Sequence, residues 1–419
     1  MTSNKSGFLK ENIHYAVLQC LYWMGYSCLW ASRSAVLLGY GCNNTQIGMI
    51  SAAALISASL VFQPVMSSMA DKYVRFTSRR FSIAIYLVAC AAAITLWFTA
   101  ESTLSTALLY VVIGICLMSV IPFINSMAVE LQYKNVGINY SACRGLGSGF
   151  YSVGAFISGT LIEKFSPVLI FPTTALIFFT ASIASLSFRY TLKQGHPDNT
   201  AADTEHNAGV KDSSVRQPHN ENTENAEAVD IFSFIKSNRL FMLTVIGYAF
   251  LIGSRSCICT YMIHITNRVG GGASAMGFAL GLGAAAEVPA MLIAPVLIER
   301  FTLKKVFRLS TYSFLIRCVI IFFAKSMLAL DIAMLLQFFE CGLAIPCTVY
   351  YTAHQVDPSN QVKGQSVMHL TSNALFAALF MLLGGRIIDA SDVSVMLFFV
   401  TISSLIGVIV IHISTRTLK

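Results

Sequence analysis

Gly25-Tyr26-Ser27-Cys28-Leu29-Trp30-Ala31-Ser32-Arg33-Ser34 returns in the second half of the chain as Gly247-Tyr248-Ala249-Phe250-Leu251-Ile252-Gly253-Ser254-Arg255-Ser256, with six of ten residues identical at one offset. Both copies lie in long apolar runs, where a shared S-R-S triplet is hard to obtain from apolar bias alone. Two further pairs fall at nearly the same offset: Ile121-Pro122 with Ile345-Pro346, and the stretch from Gly159 to Glu163 with that from Gly385 to Asp389. A repeat of half the chain points to two related halves packed side by side.

The solvent of those halves is set by composition. Of 419 residues 55% are hydrophobic and 11% charged, with a mean hydropathy of +0.67, where soluble domains carry about 25% charge. Charge-free runs such as Ser34 to Ala70, Phe81 to Ala100 and Ser102 to Val129 exceed the roughly 18 residues that cross a bilayer as a helix. The pattern predicts an all-α membrane protein of twelve transmembrane helices in two six-helix pseudo-symmetric halves. The expected spans are 13–38, 46–70, 81–99, 104–126, 141–162, 168–189, 240–263, 274–298, 306–324, 329–351, 364–387 and 393–413.

Between spans 6 and 7 lies the one long polar stretch, rich in Asn, Asp, Glu, Ser and Thr, which has too few large apolar residues to bury a core. It divides the chain into a bundle over 1–190, a flexible cytoplasmic linker over 191–235 and a second bundle over 236–419. Most basic loop residues fall on one side: Lys72, Arg75, Arg79 and Arg80, then Lys134, then Lys193, Lys211, Arg216 and Lys236, then Arg300, Lys304, Lys305 and Arg308, then Lys363, while the opposite loops hold Lys164, Arg268, Lys325 and Arg386. By the positive-inside rule both termini are expected to be cytoplasmic, in the cell inner membrane. The same distribution accounts for the net charge of +8 without a nucleic-acid partner. Eleven cysteines, nearly all inside apolar runs, read as small buried hydrophobes, and no metal site is expected.

Gln63-Pro64-Val65-Met66-Ser67-Ser68-Met69-Ala70-Asp71-Lys72, followed by Arg79, resembles the loop motif G-x-x-x-D-[RK]-x-G of the major facilitator superfamily, with Ser67 and Val74 in place of its glycines. Ala294-Pro295 through Glu299-Arg300 to Lys304-Lys305 stands where that superfamily repeats the motif. Within it the chain is most similar to the lactose-permease-like branch of oligosaccharide:proton symporters and their broader relatives. The residues that carry this are Ala128-Val129-Glu130 and Tyr140-Ser141-Ala142-Cys143-Arg144 through Tyr151. The resemblance implies that Glu130 and Arg144 bind sugar hydroxyls and that the Tyr151 ring stacks on the sugar. It also implies a gate latch formed by Asp71, Lys72 and Arg79, with Glu299 and Arg300 as the second-half counterpart. Span 10 departs from the permease, keeping Glu340 where that branch has a Lys, His and Glu series. Ala286-Glu287-Val288-Pro289 resembles an element of sugar-efflux relatives.

Charges more than two residues from a span end are few: Arg33, Arg144, Arg255, Glu287, Arg317 and Glu340. Each costs about 2.5–3.5 kcal/mol at mid-membrane on insertion scales, so each should face the bundle interior. Burial favours a neutral carboxyl and a nearby guanidinium the charged one, so Glu287 or Glu340, with Arg317 as counter-charge, could carry a proton. A permanent structural ion pair is the alternative. Arg33 and Arg255 either snorkel to the interface or share a cavity or gate role. Glu130 and Arg144 are either an edge ion pair or solute contacts. His369 is either a proton relay or a structural histidine.

These residues lead to an expected secondary transporter, not an enzyme, that moves a sugar, oligosaccharide or glycoside by proton symport. It would act as a monomer in the lipid bilayer, with the proton gradient as energy source and no cofactor. Efflux of sugars or amphiphilic drugs is the alternative. A membrane enzyme or a sensor is disfavoured, because no G-x-S-x-G, H-E-x-x-H or phosphate loop occurs and the polar stretch is too short for an output domain.

Overall fold

The computed structural model describes residues 2–72, 77–99, 102–133, 138–188 and 234–416, apart from the side chains at 2–10, 71–72, 129–130, 132–133, 141 and 359. The expected linker therefore lies, except for residues 234 and 235, outside the described residues. Regular structure among the described residues is entirely helical. We number the membrane-length rods α1 to α12. α1 begins as Thr2–Gly25, widens into a π-helical turn at Tyr26–Ala31, breaks at Ser32 and ends as Arg33–Gly39. Next come α2 (Asn44–Ala70), α3 (Ser78–Thr99), α4 (Thr103–Tyr133), α5 (Tyr140–Lys164) and α6 (Ile170–Ser187). The second half holds α7 (Arg239–Thr260), α8 (Ala273–Phe301), α9 (Leu303–Phe323), α10 (Met327–Gln355), α11 (Gln361–Ala390) and α12 (Val393–Ser414).

The eleven rods α2 to α12 are long and apolar enough to cross a membrane. α1 is more polar because its central turns carry Tyr15, Gln19, Tyr22, Trp23 and Tyr26, which line the interior. Large apolar side chains such as Phe98, Leu104, Phe156, Leu176 and Leu328 are exposed on the outside of the bundle, as suits a surface solvated by lipid. Helix starts are set by side-chain caps. Asn43 and Gln46 form a capping box at α2, and Asn139, Ser326 and Asp392 cap α5, α10 and α12.

The packing repeats with the sequence. α1 packs on α5 and α6, α3 on α4 and α6, and α2 on α4; six helices later α7 packs on α11 and α12, α9 on α10 and α12, and α8 on α10. Two seams join the halves, α5 against α8 and α2 against α11, and they too exchange under the repeat. The hydrogen bonds across these seams run from mid-depth to the face opposite the termini, called here the far face. Glu163 Oε2 accepts from the Ser274 amide at the start of α8, at 2.6 Å. Asp389 accepts from the Asn44 amide and Nδ2 (3.1 and 2.9 Å) and from the Thr45 amide and Oγ1 (2.7 and 2.6 Å) at the start of α2. These two carboxylates are the matched residues of the Gly159–Glu163 and Gly385–Asp389 repeat. In each seam a carboxylate of one half caps a helix N-terminus of the other.

The glycines at the head of the same matched stretches set how closely the helices approach. A Cβ on Gly277 would collide with the Ala155 carbonyl and lie 3.1 Å from the Gly159 Cα, so α5 and α8 touch backbone to backbone, as small residues permit in membranes. Gly277→Leu is therefore expected to hold the far face apart. Cysteines placed on the far ends of α5 and α8 should then cross-link poorly, and solute transport should fall by about tenfold or more. Unchanged cross-linking would show that the seam tolerates the bulk.

Candidate functional site

The second half carries a chain of buried charges. α10 loosens to a 3-10 turn at Leu336–Phe338, and Glu340 sits at φ −67°, ψ −97°, outside the α-helical region. This local unwinding turns Gln337 and Glu340 toward α7, α8 and α9. Arg317 on α9 donates through Nη1 to Glu340 Oε2 at 2.5 Å, both side chains being almost wholly buried. Arg255 on α7 lies with Nε 3.9 Å from Glu340 Oε1 and donates through Nη2 to Glu287 Oε1 at 3.2 Å. Gln337 Nε2 donates to the same Glu287 oxygen at 2.5 Å. Two positive and two negative charges thus alternate from α9 to α8, with Glu287 and the half-buried Arg255 at the accessible end, 10% and 28% exposed. Both hydrogen bonds to Glu287 among the described residues go to Oε1.

The first half supplies rings and donors. The Arg144 guanidinium lies 3.9 Å over the Trp23 ring and donates to Ser148 Oγ at 2.8 Å. Trp23 Nε1 donates to Gln19 Oε1, and Gln19 Nε2 to the Tyr15 hydroxyl and Asn125 Oδ1. Tyr151, seven residues beyond Arg144 and so on the same face of α5, has its ring 6.4 Å from Trp23 and 6.2 Å from Tyr26. The two sets meet across the α5/α8 seam. A Cβ on Gly145 would touch Val288 at 3.3 Å, which places the neighbours Arg144 and Glu287 on facing helices.

Arg33 and Arg255, matched in sequence, go to different places. Arg33 is 5% exposed and does not snorkel. It donates to Ser51 Oγ (2.7 Å), the Trp30 carbonyl (2.6 Å), Thr260 Oγ1 (2.5 Å) and Met381 Sδ (3.1 Å), bridging both halves. The cause is local. The π-helical turn at Tyr26–Ala31 widens α1 and re-aims the helical turn that carries Arg33, whereas Arg239–Thr260 runs as unbroken α-helix. Arg255 does not snorkel either and belongs to the charge chain, through Glu287 and Glu340. Beyond Arg33 the far face is sealed by the Tyr261 hydroxyl, which lies 2.7 Å from the Met381 carbonyl and 3.1 Å from that of Asn44. His264 Nε2 donates to Asn44 Oδ1 at 2.6 Å. Burial pushes this imidazole below its ordinary pKa, against the pull of the Asp389 carboxylate.

The remaining expected site residues are dispersed. Glu130 lies on α4, and Asp71 and Lys72 continue the helix just beyond α2, but their side chains are outside the described residues. Arg79 donates to the Leu186 carbonyl at 2.5 Å, near the end of α6. Glu299 is exposed at the end of α8, and Arg300 lies over the Phe301 ring at 5.6 Å. His369 is exposed on α11 and forms no hydrogen bond to Glu287 or Glu340. Trp23, Tyr26, Gln19 and Gln337 are not singled out by the sequence reading. The signal for the first three is the stripe Tyr15, Gln19, Tyr22, Trp23, Tyr26 at helical spacing; for Gln337 it is a position one turn before Glu340.

Two pseudo-symmetric six-helix halves, with polar groups converging between them, define a multi-pass membrane transporter. The MFS_1 like family model matches residues 16–400, and the chain belongs to that family. The maltose permease of Geobacillus stearothermophilus is 22% identical over 308 residues, which cover 72% of this chain and 71% of the permease. Among solved structures the nucleoside transporter NupG superposes with a TM-score of 0.76 at 12% identity, over 97% of this chain and 99% of that one. An auto-inhibited POT family peptide transporter gives 0.69 at 12% identity, over 98% and 97%. A bacterial homologue of the iron transporter ferroportin, in its inward-facing state, gives 0.70 at 11% identity, over 97% and 99%. At these identities the structural likeness establishes the fold.

Proposed function

We propose that the chain is a proton-coupled symporter of a sugar, oligosaccharide or glycoside, with Glu287 as the proton-carrying group. The observation that carries this reading is the apposition of an aromatic platform and a carboxylate with 10% of its side chain exposed: Arg144 on Trp23 with Tyr26 and Tyr151, and Glu287 on the facing helix across the α5/α8 seam. Aromatic faces suit the C–H faces of a pyranose, while the guanidinium, Gln19 and Asn125 offer hydrogen bonds to hydroxyls. The maltose permease among the relatives is in line with this solute class. If both termini are cytoplasmic, as the positive-inside rule expects, the hydrogen-bonded far face is the outer one, and the closure there fits the state in which a symporter releases solute and proton to the inside.

The test is uptake of labelled mono- and disaccharides and aryl glycosides into proteoliposomes, with and without an inward proton gradient. At least one of these solutes is expected to accumulate only with the gradient. Uptake indifferent to the gradient for every solute would overturn the coupling. Export of the same solutes is the second reading, favoured by the Ala286-Glu287-Val288-Pro289 element, and counterflow measured in both orientations separates the two.

A further inference from the structure

Among the described residues, Arg33 is a buried cation with no carboxylate partner. Its hydrogen-bond partners are a serine, a threonine, a main-chain carbonyl and a thioether, drawn from α1, α2, α7 and α11. Its guanidinium also lies 4.7 Å from the centroid of the Trp30 ring. The described carboxylates nearby are committed elsewhere. Asp389 takes four hydrogen bonds from Asn44 and Thr45, and Glu287 and Glu340 are matched by Arg255 and Arg317. The guanidinium lies between the layer of Tyr26 and Tyr151 and the Tyr261–Asn44 seal, where the two halves close on each other.

A glutamine could supply donors to the same hydroxyls and carbonyl without the cost of burying a charge. What glutamine lacks is the field and the donor-only character. A guanidinium offers five N–H donors and no acceptor lone pair, so it cannot pass a proton along a chain of hydrogen bonds. A fixed positive charge in a narrow, poorly hydrated constriction also repels hydronium and metal cations. We propose that Arg33 is the electrostatic barrier of the closed far-face gate, keeping protons and cations from leaking between the halves while the cavity faces the other way. The π-helical turn before it is the device that aims it there. This role rests on the transporter fold and the gate geometry and holds whichever solute is carried.

The experiment measures passive proton entry, without solute, into liposomes that hold the full-length protein and an internal pH dye, under a potassium diffusion potential. Arg33→Gln is expected to raise the protein-dependent proton flux about tenfold, the factor given by a barrier lowered by 2.3RT. Arg33→Lys keeps the charge and should stay as tight as the unaltered protein. Thr260→Asp leaves Arg33 in place but sets an anion against it, and should also leak. Size-exclusion profiles and thermal unfolding identify which variants fold, and Thr260→Asp decides the matter if Arg33→Gln does not fold. Folded Arg33→Gln or Thr260→Asp protein as tight as the unaltered chain would overturn the proposal. So would an Arg33→Lys variant that leaks as much as Arg33→Gln.

Discussion

Glu287→Gln is expected to abolish accumulation of solute against a gradient while leaving solute exchange intact. Glutamine keeps the size of the side chain, and its carbonyl can still accept from Arg255 and Gln337 at the position of Oε1. It cannot take up or release a proton. One pH unit of gradient supports about tenfold accumulation per proton carried, about 1.36 kcal/mol. The accumulation ratio of the variant should therefore fall to about one, with labelled solute still equilibrating and exchanging in counterflow. A glutamine variant that accumulates as the unaltered protein does would move the proton to another group. Arg255 would keep its approach to Glu340, so loss of folding is not the expected cause of failure.

The second large effect is on stability. Glu340→Ala would leave the Arg317 guanidinium, almost wholly buried, without its carboxylate, and removing one member of such a pair costs about 3–5 kcal/mol. The thermal unfolding midpoint in detergent should drop sharply, and expression with it. The double replacement Arg317→Met with Glu340→Leu removes one charge of each sign and leaves Arg255 balanced by Glu287. It should recover most of the lost stability, because a well-packed apolar pair is often equal to the ion pair it replaces. If the double variant were as unstable as Glu340→Ala, the charge chain itself, and not the orphaned arginine, would be the stabilising unit.

Much of this architecture is legible in the sequence because lipid imposes it. Long charge-free runs mark the rods, and the repeat at Gly25 and Gly247 marks the halves. The Gly159–Glu163 and Gly385–Asp389 match reads in sequence as a repeat only, yet its residues hold both seams. The site is less legible. Identical S-R-S triplets suggest identical roles for Arg33 and Arg255, but a π-helical turn in one copy changes where its arginine points, and no residue type announces that turn. α1 reads as one continuous span and is broken at Ser32. Arg317 pairs in sequence with either glutamate, and only the unwinding of α10 at Leu336–Phe338 decides for Glu340. Trp23 and Gln337 escape because an aromatic or an amide in an apolar run reads as ordinary core until its neighbours are known.

The two crossed caps have a consequence for the ions around the protein. If the seams part during transport, Glu163 leaves the Ser274 amide that opens α8 and Asp389 those of Asn44 and Thr45 that open α2. Two partly positive helix ends then stand bare toward the far compartment, along with two unpaired carboxylates. Each end can be occupied by a dissolved anion and each carboxylate by a dissolved cation. Added salt therefore lowers the free energy of the parted form relative to the joined one, and the composition of the far-side medium becomes a brake or an accelerator on the cycle without touching the solute.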